Sequence, residues 1–195
     1  MQVIKRSNAK QGAMRRIGFT LAEILIALAL IAVLAAVLLP SVAGQIMKGD
    51  SGRTMQDLDA VRAGVDQFLA DVHRYPQRVS HLNTKILTTD KDVNGTLYPS
   101  GLVEKWSGPY INKPLNDAGV IPTGFGANIR DSLQRVTANG VNYVTVIIAG
   151  IDSAAFARLD LEIDGSSANL TNSRTLGLLR WVTGDTAKYL AAPIQ

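Results

Sequence analysis

The sequence predicts an α+β protein, in which one long amino-terminal helix, half of it transmembrane, packs against a small antiparallel β-sheet. Three observations lead to this prediction. An apolar run extends from residue 19 to 39, a helical period of apolar residues returns from 55 to 72, and strand-like stretches follow residue 142. The chain has 195 residues, enough for one ordinary domain and an appendage.

The composition excludes several kinds of chemistry. The absence of cysteine excludes disulfides, thiolate nucleophiles and cysteine-based zinc sites. With only two histidines, His73 and His81, the chain cannot form a histidine-rich metal cage. It also lacks the Gly-x-Ser-x-Gly pattern of a serine hydrolase. We therefore expect no catalytic residues and no enzymatic activity, and no cofactor apart from a possible calcium ion.

Most of the positive charge lies at the amino terminus. The net charge is +4, but residues 1–18 contain five basic residues and no acidic one, so the remainder has a net charge of −1. This distribution does not indicate a nucleic-acid partner. It is typical of a membrane-topology signal, since basic residues beside a membrane span keep that side in the cytoplasm.

The apolar run from residue 19 to 39 has the length of a membrane span. Glu23 is its only charged residue. At 1.5 Å per residue this helix is roughly 31 Å long, against a hydrocarbon core of about 30 Å. An ordinary signal peptide remains an alternative, because the run ends in alanines, but its apolar region is usually only about 7–15 residues long. A plain signal anchor leaves Glu23 unexplained.

A carboxylate near the start of a membrane span needs a partner, because burying a charge in hydrocarbon is costly. If the chain were cut after Gly18, the new amino group of Phe19 would be a cation one helical turn from Glu23. In a helical stack of identical subunits, Glu23 of one subunit could pair with the Phe19 amine of the next. Removing one partner of a buried pair costs about 3–5 kcal/mol, so Glu23 would set the register of assembly.

The string RRIGFTLAEILIALALIAVLAAVLLP closely resembles the class III signal of type IV prepilins and type II secretion pseudopilins. The resemblance implies that an aspartyl prepilin peptidase cleaves between Gly18 and Phe19 and that the amine of Phe19 is then methylated. Glu23 matches the glutamate of the family. Pro40 matches its helix-kinking proline and is assigned, with Phe19 and Glu23, to assembly.

The pattern and the resemblance divide the chain into five parts. These are a removed leader (1–18), a transmembrane and filament-core helix (19–39), a kinked or melted Pro/Gly segment (40–52), an amphipathic helix (53–75) and a globular α/β-loop and antiparallel-sheet domain (76–195). Pro40 disrupts helical hydrogen bonding, and three glycines follow it, each costing about 1 kcal/mol in a helix. We therefore expect 40–52 to be the weakest part of the helix.

The globular part is predicted mainly from short apolar stretches. Residues 76–142 show only loops and short elements, rich in Gly, Pro, Asn and Asp. Strands are predicted at 142–150, 159–165, 176–184 and 187–194, with one or two helical turns at 153–159. Three or four strands on the helix stripe would form the pilin fold that the resemblance implies.

The sequence TTDKDVNGTLY contains a pattern that resembles the start of a calcium-binding loop. Asp90, Asp92 and Asn94 alternate before a glycine, as at the start of a calcium loop, but the twelfth position is Gly101 instead of glutamate. A polar surface turn is the alternative. A second acidic group, Asp152, Asp160, Glu162 and Asp164, could also hold calcium, but solvent-facing side chains at alternating positions, partly on strands, explain most of it.

The resemblance implies a structural subunit, a major or minor pilin, of a type IV pilus-like extracellular filament that serves adhesion, motility or DNA uptake. Its expected partners are copies of itself, other pilins, the prepilin peptidase and an inner-membrane assembly platform. Before assembly the leader would be cytoplasmic and the carboxy-terminal domain periplasmic. A periplasmic type II secretion pseudopilin is the alternative, and GPYINKP resembles part of the major pseudopilin, but a mature length of 177 residues favours a pilin. A monomeric membrane-anchored binding domain is a remote third hypothesis.

Overall fold

The computed structural model describes residues 18–165 and 174–194. The chain divides into two compact units, Met1–Ala43 and Gly44–Gln195. The helices are α1 (Leu21–Val72), α2 (Ser100–Val103) and α3 (Ser153–Asp164). The strands are β1 (Val120–Pro122), β2 (Asn128–Ala138), β3 (Val141–Ala149), β4 (Leu179–Thr183) and β5 (Thr186–Pro193). One helix and an antiparallel sheet therefore dominate an α+β fold, as predicted.

Helix α1 supplies residues 21–43 to the first unit and 44–72 to the second. In the second unit one face is buried, at the positions Ser51, Thr54, Leu58, Val61, Gly64, Val65, Phe68 and Val72. These steps of three and four residues keep the side chains on one stripe. The stripe begins at Ser51, and the helix ends three residues before Tyr75.

The segment 40–52 is helical in the structure, with Pro40 inside the helix. A proline removes one backbone donor, but a long helix retains the remaining hydrogen bonds around it. The isolated chain therefore does not show the melted form. Melting in an assembled filament stays a prediction.

The sheet has the strand order β1-β2-β3-β5-β4, and every neighbouring pair is antiparallel. Its buried face packs on the α1 stripe in one core, which also receives Phe156 and Leu159 from α3 and Trp181 from β4. Phe156 and Trp181 meet edge to face, with ring centroids 5.0 Å apart. The predicted strands around 142–150, 176–184 and 187–194 are confirmed as β3, β4 and β5.

The prediction of a strand at 159–165 was wrong, because these residues lie mainly in α3. The side chain of Asp152 accepts a hydrogen bond from the Ala155 N–H at 2.8 Å, so it caps the helix. The buried positions Ala155, Phe156, Leu159 and Asp160 follow a helical spacing. Leu159, Leu161 and Ile163 alternate with acidic residues, which is the pattern of a strand. The cap formed by Asp152 nevertheless starts a helix that includes these residues.

Sequence reasoning missed β1 and β2 within the predicted loop region. The buried residues of β2 are Ile129, Leu133 and Ala138. The half-buried Asp131 lies between Ile129 and Leu133, and two exposed residues, 134 and 135, follow Leu133, so apolar residues do not alternate along the strand. The polar residues between them then resemble a loop in the sequence.

The turn between β1 and β2 lies directly against α1. A Cβ atom on Gly124 would lie only 2.0 Å from the carbonyl oxygen of Asp50, so this position admits only glycine. The Lys113 ammonium strengthens the contact, since it donates to the Asp57 carboxylate at 2.8 Å and to the Pro122 carbonyl at 2.7 Å. The sheet and the helix are therefore joined at backbone distance near residue 50.

Candidate functional site

Gly18 and Phe19 precede the first helical residue and are exposed. The Phe19 side chain is 79% exposed. A Cβ atom on Gly18 would meet no other atom within 4 Å, so packing inside the described chain does not require glycine there. The basic residues of the predicted leader, including Arg15 and Arg16, lie outside the described residues.

Thr20 caps helix α1. Its hydroxyl oxygen accepts a hydrogen bond from the backbone N–H of Glu23 at 3.2 Å, and its carbonyl accepts one from Ile24, also at 3.2 Å. This is one half of a capping box, the Thr-x-x-Glu pattern in which the two residues bond reciprocally. The pattern TLAE, from Thr20 to Glu23, is the sequence signal from which this cap could have been predicted.

Glu23 lies in the first turn of α1, and it is exposed. A negative charge there is favoured by the helix dipole. Within the described residues, no ion pair involves Glu23. The carboxylate is therefore available to a cation from outside the described part of the chain, which is the geometry that the register hypothesis requires.

The amino-terminal half of α1 exposes large apolar side chains on all sides. Phe19 precedes the helix and is also exposed; the exposed residues of the helix are Leu21, Ile24, Leu25, Ile26, Leu28, Leu30, Ile31, Val33, Leu34, Val37, Leu38, Leu39, Val42, Ile46 and Met47. A helix that is apolar all round belongs in a membrane or in a larger assembly. By length and composition, α1 can cross a membrane.

Polar contacts fix the other half of α1 within the second unit. The Ser51 hydroxyl donates to the Glu162 carboxylate of α3 at 2.8 Å. Near the helix end, Tyr110 donates to the Asp71 carboxylate at 2.9 Å, and Ser107 donates to the same oxygen. The Ser107 and Tyr110 hydrogen bonds lower the pKa of Asp71 because they stabilise its ionised form. The loop GPYINKP is thus attached to the helix through Tyr110.

The side chains of the calcium candidates bond to other parts of the protein. Asp90 accepts from the N–H of Leu87 at 2.7 Å. Asp92 pairs with Arg74 at 2.8 Å, and Asn94 accepts from Arg135 at 2.9 Å. Within the described ranges, no group of three or more acidic or histidine side chains could hold a metal ion. Calcium binding by these residues stays a prediction that their contacts do not favour.

The residues of the second acidic group lie along α3 or at its cap, and three of them make separate hydrogen bonds that stabilise the fold. Asp152 caps α3, and Glu162 bonds Ser51. Asp164 accepts hydrogen bonds from the N–H groups of Leu178 and Leu179, at 2.8 and 3.0 Å, at the start of β4. Asp160 is buried, being 3% exposed. All four residues lie on α3 or at its cap, and none is on a strand as the sequence suggested.

Comparison with known proteins identifies the amino-terminal segment. Residues 13–39 match the family model described as the prokaryotic N-terminal methylation motif. By this motif, the amino-terminal segment is similar to those of prepilins and pseudopilins. The match includes Gly18, Phe19, Thr20 and Glu23, the residues that form and precede the capped helix start.

Curated relatives of the chain are type II secretion system core proteins G. The protein from Klebsiella pneumoniae is 30% identical over 87 residues, which cover 45% of this chain and 62% of that protein. The Klebsiella michiganensis protein is 27% identical over 99 residues, covering 48% and 70%. That from Escherichia coli K12 is 36% identical over 59 residues, covering 30% and 41%. No solved structure matches the chain.

The similarity to this family is therefore partial. The chain spans about 62% of the length of the Klebsiella pneumoniae relative, and more than half of the chain lies outside that match. The motif and the apolar helix indicate a membrane-anchored prepilin-like chain.

Proposed function

We propose that this chain is a structural subunit of a pilin-like filament, assembled through the amino-terminal half of α1. The observation that supports the proposal most strongly is the all-round apolar exposure of residues 19–47, with Glu23 as the only charge among residues 19–39. Burial of apolar surface contributes roughly 25 cal/mol per Å², so the neighbouring helices of a filament would stabilise this segment.

The proposed route begins in the membrane. The basic leader stays in the cytoplasm, the apolar helix spans the bilayer, and a prepilin peptidase cleaves between Gly18 and Phe19 and methylates the new amine. An assembly platform then moves the subunit into the filament, where Glu23 pairs with the Phe19 amine of a neighbour. The role is structural, without an enzymatic activity of its own.

A type II secretion pseudopilus is the machine that the relatives support. All the relatives named above are core proteins G of that system. A type IV pilus is the second candidate, because the matched motif is described only as the prokaryotic N-terminal methylation motif. The location of the processed chain separates the two, since a pilus can be sheared from the cell surface and a pseudopilus remains in the envelope.

The test is a comparison of Glu23→Ala and Glu23→Asp with the parent chain in the cells that produce it. We expect Glu23→Ala to insert and to be cleaved at Phe19, yet to be lost from sedimenting filaments. Glu23→Asp keeps the charge and should retain part of the assembly. Intact-mass spectrometry of the envelope and sheared fractions measures both steps. Normal filament yield from Glu23→Ala would refute the register role, and an uncleaved chain would refute the prepilin proposal.

A further inference from the structure

The turn at residues 92–97 contains a second sequence pattern. Asn94-Gly95-Thr96 is an Asn-x-Ser/Thr tripeptide without proline, the acceptor pattern for N-linked oligosaccharides. A further such tripeptide, at 169–171, lies outside the described residues. The pattern alone is short and common, so its structural setting decides whether it is meaningful.

The setting is a well-formed exposed turn. The Asp92 carboxylate accepts hydrogen bonds from the backbone N–H groups of Asn94 and Thr96, both at 2.9 Å. The Gly95 N–H donates to the Asp92 carbonyl at 2.9 Å, and Gly95 adopts a φ of 82°, which glycine accepts without strain. Residues 94–97 are all exposed. The tripeptide is therefore presented in one conformation at the surface.

The amide of Asn94 is oriented with its nitrogen unengaged. The Arg135 guanidinium donates to Oδ1 at 2.9 Å, and because arginine only donates, the atom facing it must be the oxygen. Within residues 18–165 and 174–194, no hydrogen bond involves Asn94 Nδ2 or the Thr96 hydroxyl. The nitrogen that would be modified and the hydroxyl that defines the pattern are both accessible.

A surface cavity adjoins this turn. It has a volume of about 490 Å³, and Asn94 and Thr96 line it together with His73, Arg74 and Tyr75. Sites for small ligands have volumes of about 300–1,000 Å³. Side chains that donate and accept hydrogen bonds beside an aromatic residue suit the hydroxyl-rich surface of a sugar. The cavity therefore offers room for the first sugar attached to Asn94.

We propose that Asn94 is a site of N-linked glycosylation. The donor is an oligosaccharide linked to a lipid diphosphate. Asn94 Nδ2 forms a bond to the anomeric carbon of the sugar, while the bond from that carbon to the diphosphate oxygen breaks. The lipid diphosphate leaves with the electron pair, and the amide proton passes to a base of the transferase. No electron is exchanged with an oxidant or reductant.

Deamidation is the competing fate of an Asn-Gly pair. It requires the backbone nitrogen of the following glycine to attack the asparagine amide, whereas the Gly95 N–H is held by the Asp92 carbonyl.

The chain offers a matched control, Asn139-Gly140, in the turn between β2 and β3. Valine follows Gly140, so that pair lacks the hydroxyl residue of the acceptor pattern.

The experiment is peptide mapping by mass spectrometry of the full chain, purified from the cells that produce it. We expect the tryptic peptide 92–105 to carry saccharide mass on Asn94. Thr96→Ser should preserve the modification, and Thr96→Ala should abolish it while leaving the backbone N–H that bonds Asp92. Asn139→Gln should have no effect. An unmodified Asn94, or one showing only the small mass gain of deamidation, would overturn the proposal.

The glycosylation proposal rests on the proposed function in one respect, the membrane topology. The second unit must be exported to the compartment in which the oligosaccharide is transferred. The same spectra report the amino terminus and separate the two proposals. A chain beginning at Phe19 without sugar refutes the glycosylation alone. Sugar on an uncleaved chain supports the glycosylation and refutes the prepilin proposal.

Discussion

The two halves of α1 differ in the arrangement of their apolar residues and in the surroundings of those residues. From residue 51 onward the apolar residues fall on one stripe, and the chain's own sheet covers it. From residue 19 to 47 they occupy all sides and remain exposed. Periodicity thus separates the part of a helix that folds with its own domain from the part that requires a membrane or other subunits.

The strongest test of this difference is to truncate one large side chain to alanine in each half of α1 and to compare the losses in stability. Phe68 is fully buried and contacts the rings of Tyr98 and Tyr110 edge to face. Phe68→Ala should lower the free energy of unfolding by about 3–5 kcal/mol, because it leaves a cavity. Leu28→Ala is the control, since Leu28 is exposed, and it should change unfolding by less than about 0.5 kcal/mol. Denaturant unfolding of the full chain in detergent measures both.

Equal losses of unfolding free energy from the two variants would show that the halves do not differ as described.

The next largest effect should come from the backbone contact between the sheet and α1. Gly124→Ala places a methyl group against the Asp50 carbonyl, so the turn or the helix must move. We expect a loss of about 1–3 kcal/mol, as for other overpacked sites. Gly101→Ala is the matched control, because a Cβ atom there meets no atom within 4 Å. Unchanged unfolding of the Gly124 variant would mean that this contact is easily displaced.

A smaller effect is expected at the helix start. Thr20→Ala removes the acceptor of the Glu23 N–H, and loss of such a cap costs about 0.5–2 kcal/mol of helix stability. Thr20→Ser keeps the hydroxyl and should behave like the parent chain. Hydrogen exchange at residues 21–24 measures the fraying, and the domain should stay as stable as before. Equal protection in the alanine variant would exclude a capping role.

The smallest effect should be a pH dependence from His81. Burial lowers its pKa, while the nearby carboxylates of Asp90 and Asp131 oppose the shift and Arg78 adds to it. Because the unfolded chain then binds a proton more readily than the folded one, stability should fall as pH drops below about 6.5. His81→Gln should reduce that slope. Unfolding midpoints between neutral and mildly acidic pH measure it, and identical slopes would contradict the prediction.

Sequence reasoning was most reliable where a pattern is continuous. The run from residue 19 to 39 and the Gly-Phe-x-x-x-Glu spacing were sufficient to indicate the family, because each depends only on neighbouring residues. The strand β2 was missed because polar residues separate its few buried apolar positions, and α3 was mistaken for a strand because leucine and isoleucine fit both periods. The contact of Gly124 with Asp50 joins residues 74 positions apart, so no local pattern could reveal it.

The contact at Gly124 also has a mechanical consequence. Because Asp50 meets the β1–β2 turn at backbone distance and Ser51 bonds Glu162, tension along α1 would enter the sheet at this point. A load applied there reaches the hairpin of β2 and β3, whose strands are joined by antiparallel hydrogen bonds. The position of Gly124 therefore determines where the sheet first takes up a pulling force that acts along α1.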